Sequence, residues 1–132
     1  MPETLRLPPE AREAILEHCL AAAPDEACGL LGVAGGAVRA VYPAGNDSPE
    51  PERSFVVRPG DHYRALVHAE ARGWEVGGCY HSHPGGRAEP SGADVAGALD
   101  PNWFYLVVGL GPDPMIRAWR IRHGTVTEVE LG

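Results

Sequence analysis

Apolar and polar positions fall into blocks along this chain, and the period changes from block to block. Between residues 8 and 23, Ala11, Ala14, Ile15, Cys19 and Ala22 recur at three- and four-residue steps, which predicts an amphipathic helix. Pro8-Pro9 suits its first turn and Pro24 its end. Residues 27–34 and 37–42 are short apolar runs around Gly35-Gly36, the pattern of a hairpin. Residues 43–53 (PAGNDSPEPER) are turn-forming and polar, a loop rather than a linker between domains. Phe55 to Arg58 reads as a short strand, and Pro59-Gly60-Asp61 opens a second helix that reaches about Arg72 and is closed by Gly73. Residues 74–80 are again an apolar strand, and a third helix is predicted from Ser91 to about Leu99. The last third reads as strands over 103–110, 115–122 and 125–131, parted by Gly111-Pro112-Asp113-Pro114 and by His123-Gly124. Helices interleaved with hairpins predict an α/β (α+β) fold, with helices packed on a mixed, mostly antiparallel sheet. A chain of 132 residues is expected to form one domain, spanning 1–132.

Composition narrows the function classes. A formal charge of −7 argues against nucleic acid as a partner, because phosphate binding needs a basic surface. No apolar run approaches the ~20 residues that span a bilayer, so no membrane partner is expected. The N-terminus, Met1-Pro2-Glu3-Thr4-Leu5-Arg6, lacks a basic region followed by an apolar stretch, so a cytoplasmic protein is expected. Cys19, Cys28 and Cys79 are odd in number and lack CxxC spacing, which suits buried thiols in a reducing compartment. All 11 basic residues are arginine. With no lysine side chain, the protein cannot be modified through a lysine isopeptide bond.

The chemistry concentrates between residues 81 and 94: His81-Ser82-His83-Pro84, six residues, Ser91, two residues, Asp94. On an extended strand alternate side chains share a face, so His81 and His83 point the same way, roughly 6 to 7 Å apart at Cα. Cys79 shares that face and is expected close beneath them, while Ser82 faces away. Gly85-Gly86 reverses the chain, and a helix starting at Ser91 carries Asp94 back toward the two imidazoles. Two His and one carboxylate leave a fourth tetrahedral position open, the arrangement of a catalytic zinc. Each piece also has a plain reading. A His-x-His pair can end a surface strand, and Ser91-Gly92-Ala93-Asp94 resembles a helix capping box. His18, His62, His68 and His123 have no ligand spacing and read as surface or core histidines.

This stretch resembles the JAMM motif of the MPN-domain metalloproteases, His-x-His-Pro, six residues, Ser, two residues, Asp, and matches it without gaps. The resemblance implies a cytidine-deaminase-like three-layer domain, one zinc ion per chain held by His81, His83 and Asp94, and an upstream Glu acting as base. Glu26, in Pro24-Asp25-Glu26-Ala27-Cys28-Gly29, corresponds best to that Glu. Its plain reading is a solvated residue at a helix–strand turn. Asp25 would point to the opposite strand face, and Glu89 lies inside the loop. Ser91 is either an N-cap or a hydroxyl donor to the oxyanion of a tetrahedral intermediate, and one hydroxyl can serve both.

The resemblance is nearest to small prokaryotic members that act on ubiquitin-like sulfur-carrier proteins, above all those releasing cysteine from a carrier C-terminus. It implies cleavage of the amide bond after a carrier's Gly-Gly. The glycines at Gly77-Gly78 and Gly85-Gly86 would admit such a tail, or serve turns. Two alternatives are a deconjugating isopeptidase for protein–lysine adducts and a non-catalytic scaffold that binds protein partners. Filled motif positions disfavour the scaffold. The oligomeric state stays open between monomer and homodimer.

Overall fold

The computed structural model describes residues 2–132. Met1, the first residue of the segment read above for a secretion signal, lies outside them. The chain runs β1 (Thr4–Leu5), α1 (Pro9–Ala22), β2 (Cys28–Ala34), β3 (Ala37–Ala44), α2 (Pro59–Ala71), β4 (Glu75–His83), α3 (Gly92–Gly97), β5 (Phe104–Gly109), β6 (Met115–Arg122) and β7 (Thr125–Leu131). The strands form a seven-stranded sheet in the order β1-β7-β6-β5-β4-β2-β3. Among the described strands β1–β7 and β4–β5 pair in parallel and the other neighbours antiparallel. The sheet curls until its edges meet, where the Arg6 N–H donates to the Gly36 carbonyl and the Arg6 carbonyl accepts from Val38, both at 2.9 Å.

Strand alternation sorts the side chains into two layers of contact. Tyr80, Leu106, Val108 and Ala118 pack with Ile15 and Cys19 of α1 on one face. Leu30, Cys79 and Tyr105 pack with Ala65 of α2 on the other, where Val107, Trp119 and Ile121 meet Val95 and Ala98 around α3. The result is the expected helix–sheet–helix arrangement on a mixed, mostly antiparallel sheet. Register on β2 depends on Gly29. A Cβ there would lie 2.3 Å from the ring of Tyr80, its cross-strand partner. That fully buried phenol is satisfied by His18, whose Nδ1 lies 2.7 Å from its Oη.

The Gly35-Gly36 hairpin, α1, α2 closed by Gly73, and the last three strands lie where the pattern puts them. Three features differ. β1 is only two residues long, too short to show a period, and it forms because β7 offers it a parallel edge. Phe55 to Arg58 is not a strand: it makes a single bridge, Val57 to Asn46, and is otherwise held by side chains. α3 stops at Gly97, and Leu99 lies 88% exposed beyond it. Gly78 serves the sheet rather than access to it, since a Cβ there would come within 2.5 Å of the Phe104 carbonyl oxygen on β5.

Candidate metal centre

The site forms where β4 ends, on the face covered by α2 and α3. His81 and His83 point to this face, and the loop after Pro84 returns the chain so that α3 begins beside them. Ser91 is the N-cap: its Oγ accepts from the Asp94 N–H at 3.1 Å, and its own N–H donates to Asp94 Oδ2 at 2.8 Å. The capping box therefore aims the carboxylate. Asp94 Oδ2 lies 3.1 Å from His81 Nε2 and 3.0 Å from His83 Nε2, and the two Nε2 atoms are 3.1 Å apart. The plain reading of Ser91 and Asp94 as caps and the ligand reading thus coexist in one geometry.

Three lone-pair donors converging on one point fit a divalent cation better than any pairwise hydrogen bonding among them, since two facing imidazole nitrogens and a carboxylate share too few protons. The tautomer of His83 is set from outside. Its Nδ1 donates to the Arg87 carbonyl at 2.8 Å, leaving Nε2 free to coordinate. Hydrogen bonding to Asp94 pushes the His83 pKa up. Burial alone would raise the Asp94 carboxyl, but its bonds to His81, His83 and the Ser91 N–H outweigh that and hold it well below the usual carboxylate range.

Glu26 arrives by register. Cys28 pairs with His81 across β2 and β4, and the pairing continues past the strand ends through Ser82 N–H to the Ala27 carbonyl (3.1 Å) and Ala27 N–H to Ser82 Oγ (2.8 Å). Two further residues along β2's approach, Glu26 falls opposite His83 and on the same face. It is 7% exposed, so the solvated-turn reading fails. Burial raises its pKa to about 7, with His83 pulling it down and Asp94 pushing it up. Glu89 is drawn away by Arg117, at 3.1 Å.

Beside the centre opens a cavity of about 510 Å³, walled by Leu30, Phe55, Val57, His62, Trp103 and Tyr105. Cys79 lies on its floor, 6% exposed, with burial pushing its thiol up to about 12, which makes it inert rather than nucleophilic. Of the four remaining histidines, His62 alone reaches this wall; His18 and His68 bond Tyr80 and Tyr42, and His123 turns the β6–β7 hairpin.

Residues 8–122 match the pattern of the prokaryotic homologs of the JAB domain. The chain belongs to this family. A JAB-domain assignment agrees with the resemblance carried by the residues from His81 to Asp94. The chain is 33% identical over 131 residues to the CysO-cysteine peptidase of Mycobacterium bovis, covering 87% of this chain and 81% of that protein. It is 34% identical over 107 residues to the probable TtuB-protein conjugate cleaving protease of Thermus thermophilus, covering 81% and 69%. In structure it is similar to protein DSY2949 from Desulfitobacterium hafniense, with a TM-score of 0.86, 35% identity, and coverage of 97% and 91%.

Two residues of the site carry no functional signal in the sequence pattern. Phe55 stacks on the His81 ring, centroids 4.4 Å apart and planes 21° off parallel. Trp119 donates its indole N–H to the Ala88 carbonyl at 3.1 Å and pins the loop behind His83. Both lie far from the motif in sequence, and only the curl of the sheet and the fold of the 45–58 loop bring them in.

Proposed function

We propose that this protein is a zinc-dependent peptidase that hydrolyses the amide bond after the C-terminal Gly-Gly of a ubiquitin-like sulfur-carrier protein, with cysteine as the leaving group. The observation that carries the reading is the delivery of a buried Glu26 beside the converging His81, His83 and Asp94. Relatives named as a CysO-cysteine peptidase and a probable TtuB-protein conjugate cleaving protease support the substrate class.

In this reading neutral His81 and His83 and anionic Asp94 hold one zinc ion per chain. The ion's chemistry is to lower the pKa of a bound water from 15.7 toward ~7. Glu26 accepts the water proton and returns it to the leaving amine. A carboxyl with its pKa near 7 suits both halves of that shuttle at neutral pH. A cation nearby would favour its ionised form. Ser91 spends an oxygen lone pair on the Asp94 N–H and keeps its hydroxyl hydrogen for the oxyanion of the tetrahedral intermediate. The cavity beside the centre gives an extended tail or its leaving group somewhere to lie. Action in the cytoplasm accords with three cysteines that are buried and free. Among the described residues no helix is long and apolar enough to cross a membrane.

A second reading, isopeptide cleavage of carrier–lysine conjugates, is favoured by the relative named for conjugate cleavage at comparable identity. The two separate by mass spectrometry of a carrier–cysteine adduct and a carrier–lysine isopeptide, each incubated with the zinc-loaded wild type and with Glu26→Gln. The expected result is release of cysteine by the wild type alone. Cleavage of the isopeptide only moves the assignment to a deconjugating protease. Metal analysis belongs beside it: close to one zinc per chain is expected, with His81→Ala or Asp94→Ala lowering occupancy strongly, because losing a ligand should cost more zinc affinity than the roughly 10- to 100-fold lost when a group that only orients a ligand is removed. A wild type that binds no divalent ion ends the peptidase reading.

A further inference from the structure

The loop over residues 45–58 is irregular, yet one half-buried side chain within it makes four hydrogen bonds. Asn46 Nδ2 donates to the Glu26 carbonyl and to the Ser54 carbonyl, and its Oδ1 accepts from the N–H groups of Ser48 and Val56, all at 3.0 Å. That uses two amide hydrogens and two lone pairs, the whole capacity of a carboxamide. The Ser48 bond alone is an ordinary Asx turn, which needs only the oxygen. The other three do something a turn does not need.

Two of them bracket Phe55. The peptide groups before and after it, at Ser54 and Val56, bond to the same carboxamide, and the ring they present lies flat on His81 at 4.4 Å. The remaining bond holds the main chain of Glu26, whose N–H is in turn fixed by the Pro51 carbonyl at 2.7 Å within the same loop. One side chain therefore sets two parts of the centre together: the backbone that presents the carboxylate, and the ring that backs one imidazole.

We propose that Asn46 is a positioning residue for the hydrolytic reaction, acting through Glu26 on one side and through Phe55 and His81 on the other. The proposal rests on the reading of Glu26 as base and His81 as ligand. Its chemistry is geometric. A base must lie within hydrogen-bond reach of the proton it takes, and misplacement by an ångström is costly. The stacked Phe55 removes one direction in which the His81 ring could turn.

Asn46→Asp separates this role from a turn-forming one. Aspartate keeps the oxygen that accepts from Ser48 and Val56, so the turn survives, but it sets an oxygen where the NH₂ faced the Glu26 and Ser54 carbonyls. Zinc-loaded Asn46→Asp should retain the circular dichroism spectrum and lose roughly 10- to 100-fold in kcat, the size of other outer-shell losses, with KM within a few-fold. Phe55→Leu, a change at a partly exposed side chain that leaves the Asn46 bonds in place, should reproduce part of the loss. The readout apart from activity is the NMR shift of the His81 ring protons. A stacked Phe55 moves them upfield in the wild type, and they should move downfield in both variants. Wild-type kcat and unmoved His81 resonances in Asn46→Asp overturn the proposal, as does a fully active Phe55→Leu should Asn46→Asp fail to fold. Glu26→Gln is measured alongside. If it stays active, the base assignment has failed; if it is dead while Asn46→Asp is not, only the positioning role has failed.

Discussion

The role proposed for Glu26 makes a catalytic demand and its burial carries a cost in stability, and the two can be measured apart. In the folded, zinc-free protein its pKa lies near 7 because burial penalises the charge, against an ordinary 4.5 when unfolded. The folded state therefore binds a proton that the unfolded chain has released. The penalty is absent below the unfolded value, grows as pH rises from 4.5, and is complete above about 7. At 1.36 kcal/mol per pH unit it amounts to about 3 kcal/mol. Glutamine has the same shape and no charge to bury. Urea unfolding of the zinc-free proteins should find Glu26→Gln more stable than wild type by about 2 to 3 kcal/mol at pH 8 and equal to it near pH 4. The zinc-loaded variant should keep its metal and lose 10² to 10⁴-fold in rate, the usual contribution of a general base. Equal stability at both pH values would place the carboxylate in water; a rate within a few-fold of wild type would give the base to another residue.

The elements around the centre differ in how legible they are from the chain. β4, the turn after Pro84 and the start of α3 follow from local pattern, so His81, His83, Ser91 and Asp94 can be placed together from sequence alone. Their capping box is local as well. Glu26 is different: period and turn residues place it at the mouth of β2, but only the antiparallel register of β2 on β4 brings it opposite His83. Without the motif resemblance, nothing in the sequence distinguishes it from a solvated turn residue. The 45–58 loop is the least legible, since the four bonds of the Asn46 carboxamide and the stacking of Phe55 on His81 are side-chain contacts that have no period. The same holds for the clasp from β6, where Trp119 bonds the Ala88 carbonyl while the Arg117 guanidinium lies 4.7 Å over its ring and pairs with Glu89 and Glu128. Ala88 is 5% exposed, so Trp119→Phe leaves its carbonyl buried without a partner, at about 1 to 3 kcal/mol. The neighbouring Arg87 carbonyl orients His83, so the slackened loop should also weaken zinc binding by about 10-fold. Competition against a chelator checks this. Unchanged affinity would mean that the loop is held without the indole.

At the scale of the whole molecule, the curl of the sheet is what lets α2, α3 and the 45–58 loop gather at one end of β4. Its closure depends on the short first strand. Leu5 is fully buried and Leu7 is 4% exposed, both in the core beneath α1, and Arg6 between them joins the two sheet edges by backbone bonds alone. Arg120 reinforces this corner, with a paired contact to Glu3 at 2.7 Å and its guanidinium 3.6 Å over the Phe104 ring. A two-residue strand gives little by itself, so the apolar side chains must supply the holding energy. Truncation of a fully buried leucine costs about 2 to 5 kcal/mol when the cavity cannot collapse, and a core enclosed by a closed sheet has little room to do so. Leu5→Ala should therefore lower unfolding free energy by that amount in urea. Leu99→Ala, at a site 88% exposed, should change it by less than about 0.5 kcal/mol. The centre lies across the sheet from Leu5, so zinc bound to the native state should restore part of the lost stability as its concentration rises above the dissociation constant. If Leu5→Ala unfolds with wild-type stability, the sheet closes without its first strand, and the site's geometry must be held by the helices and loop alone.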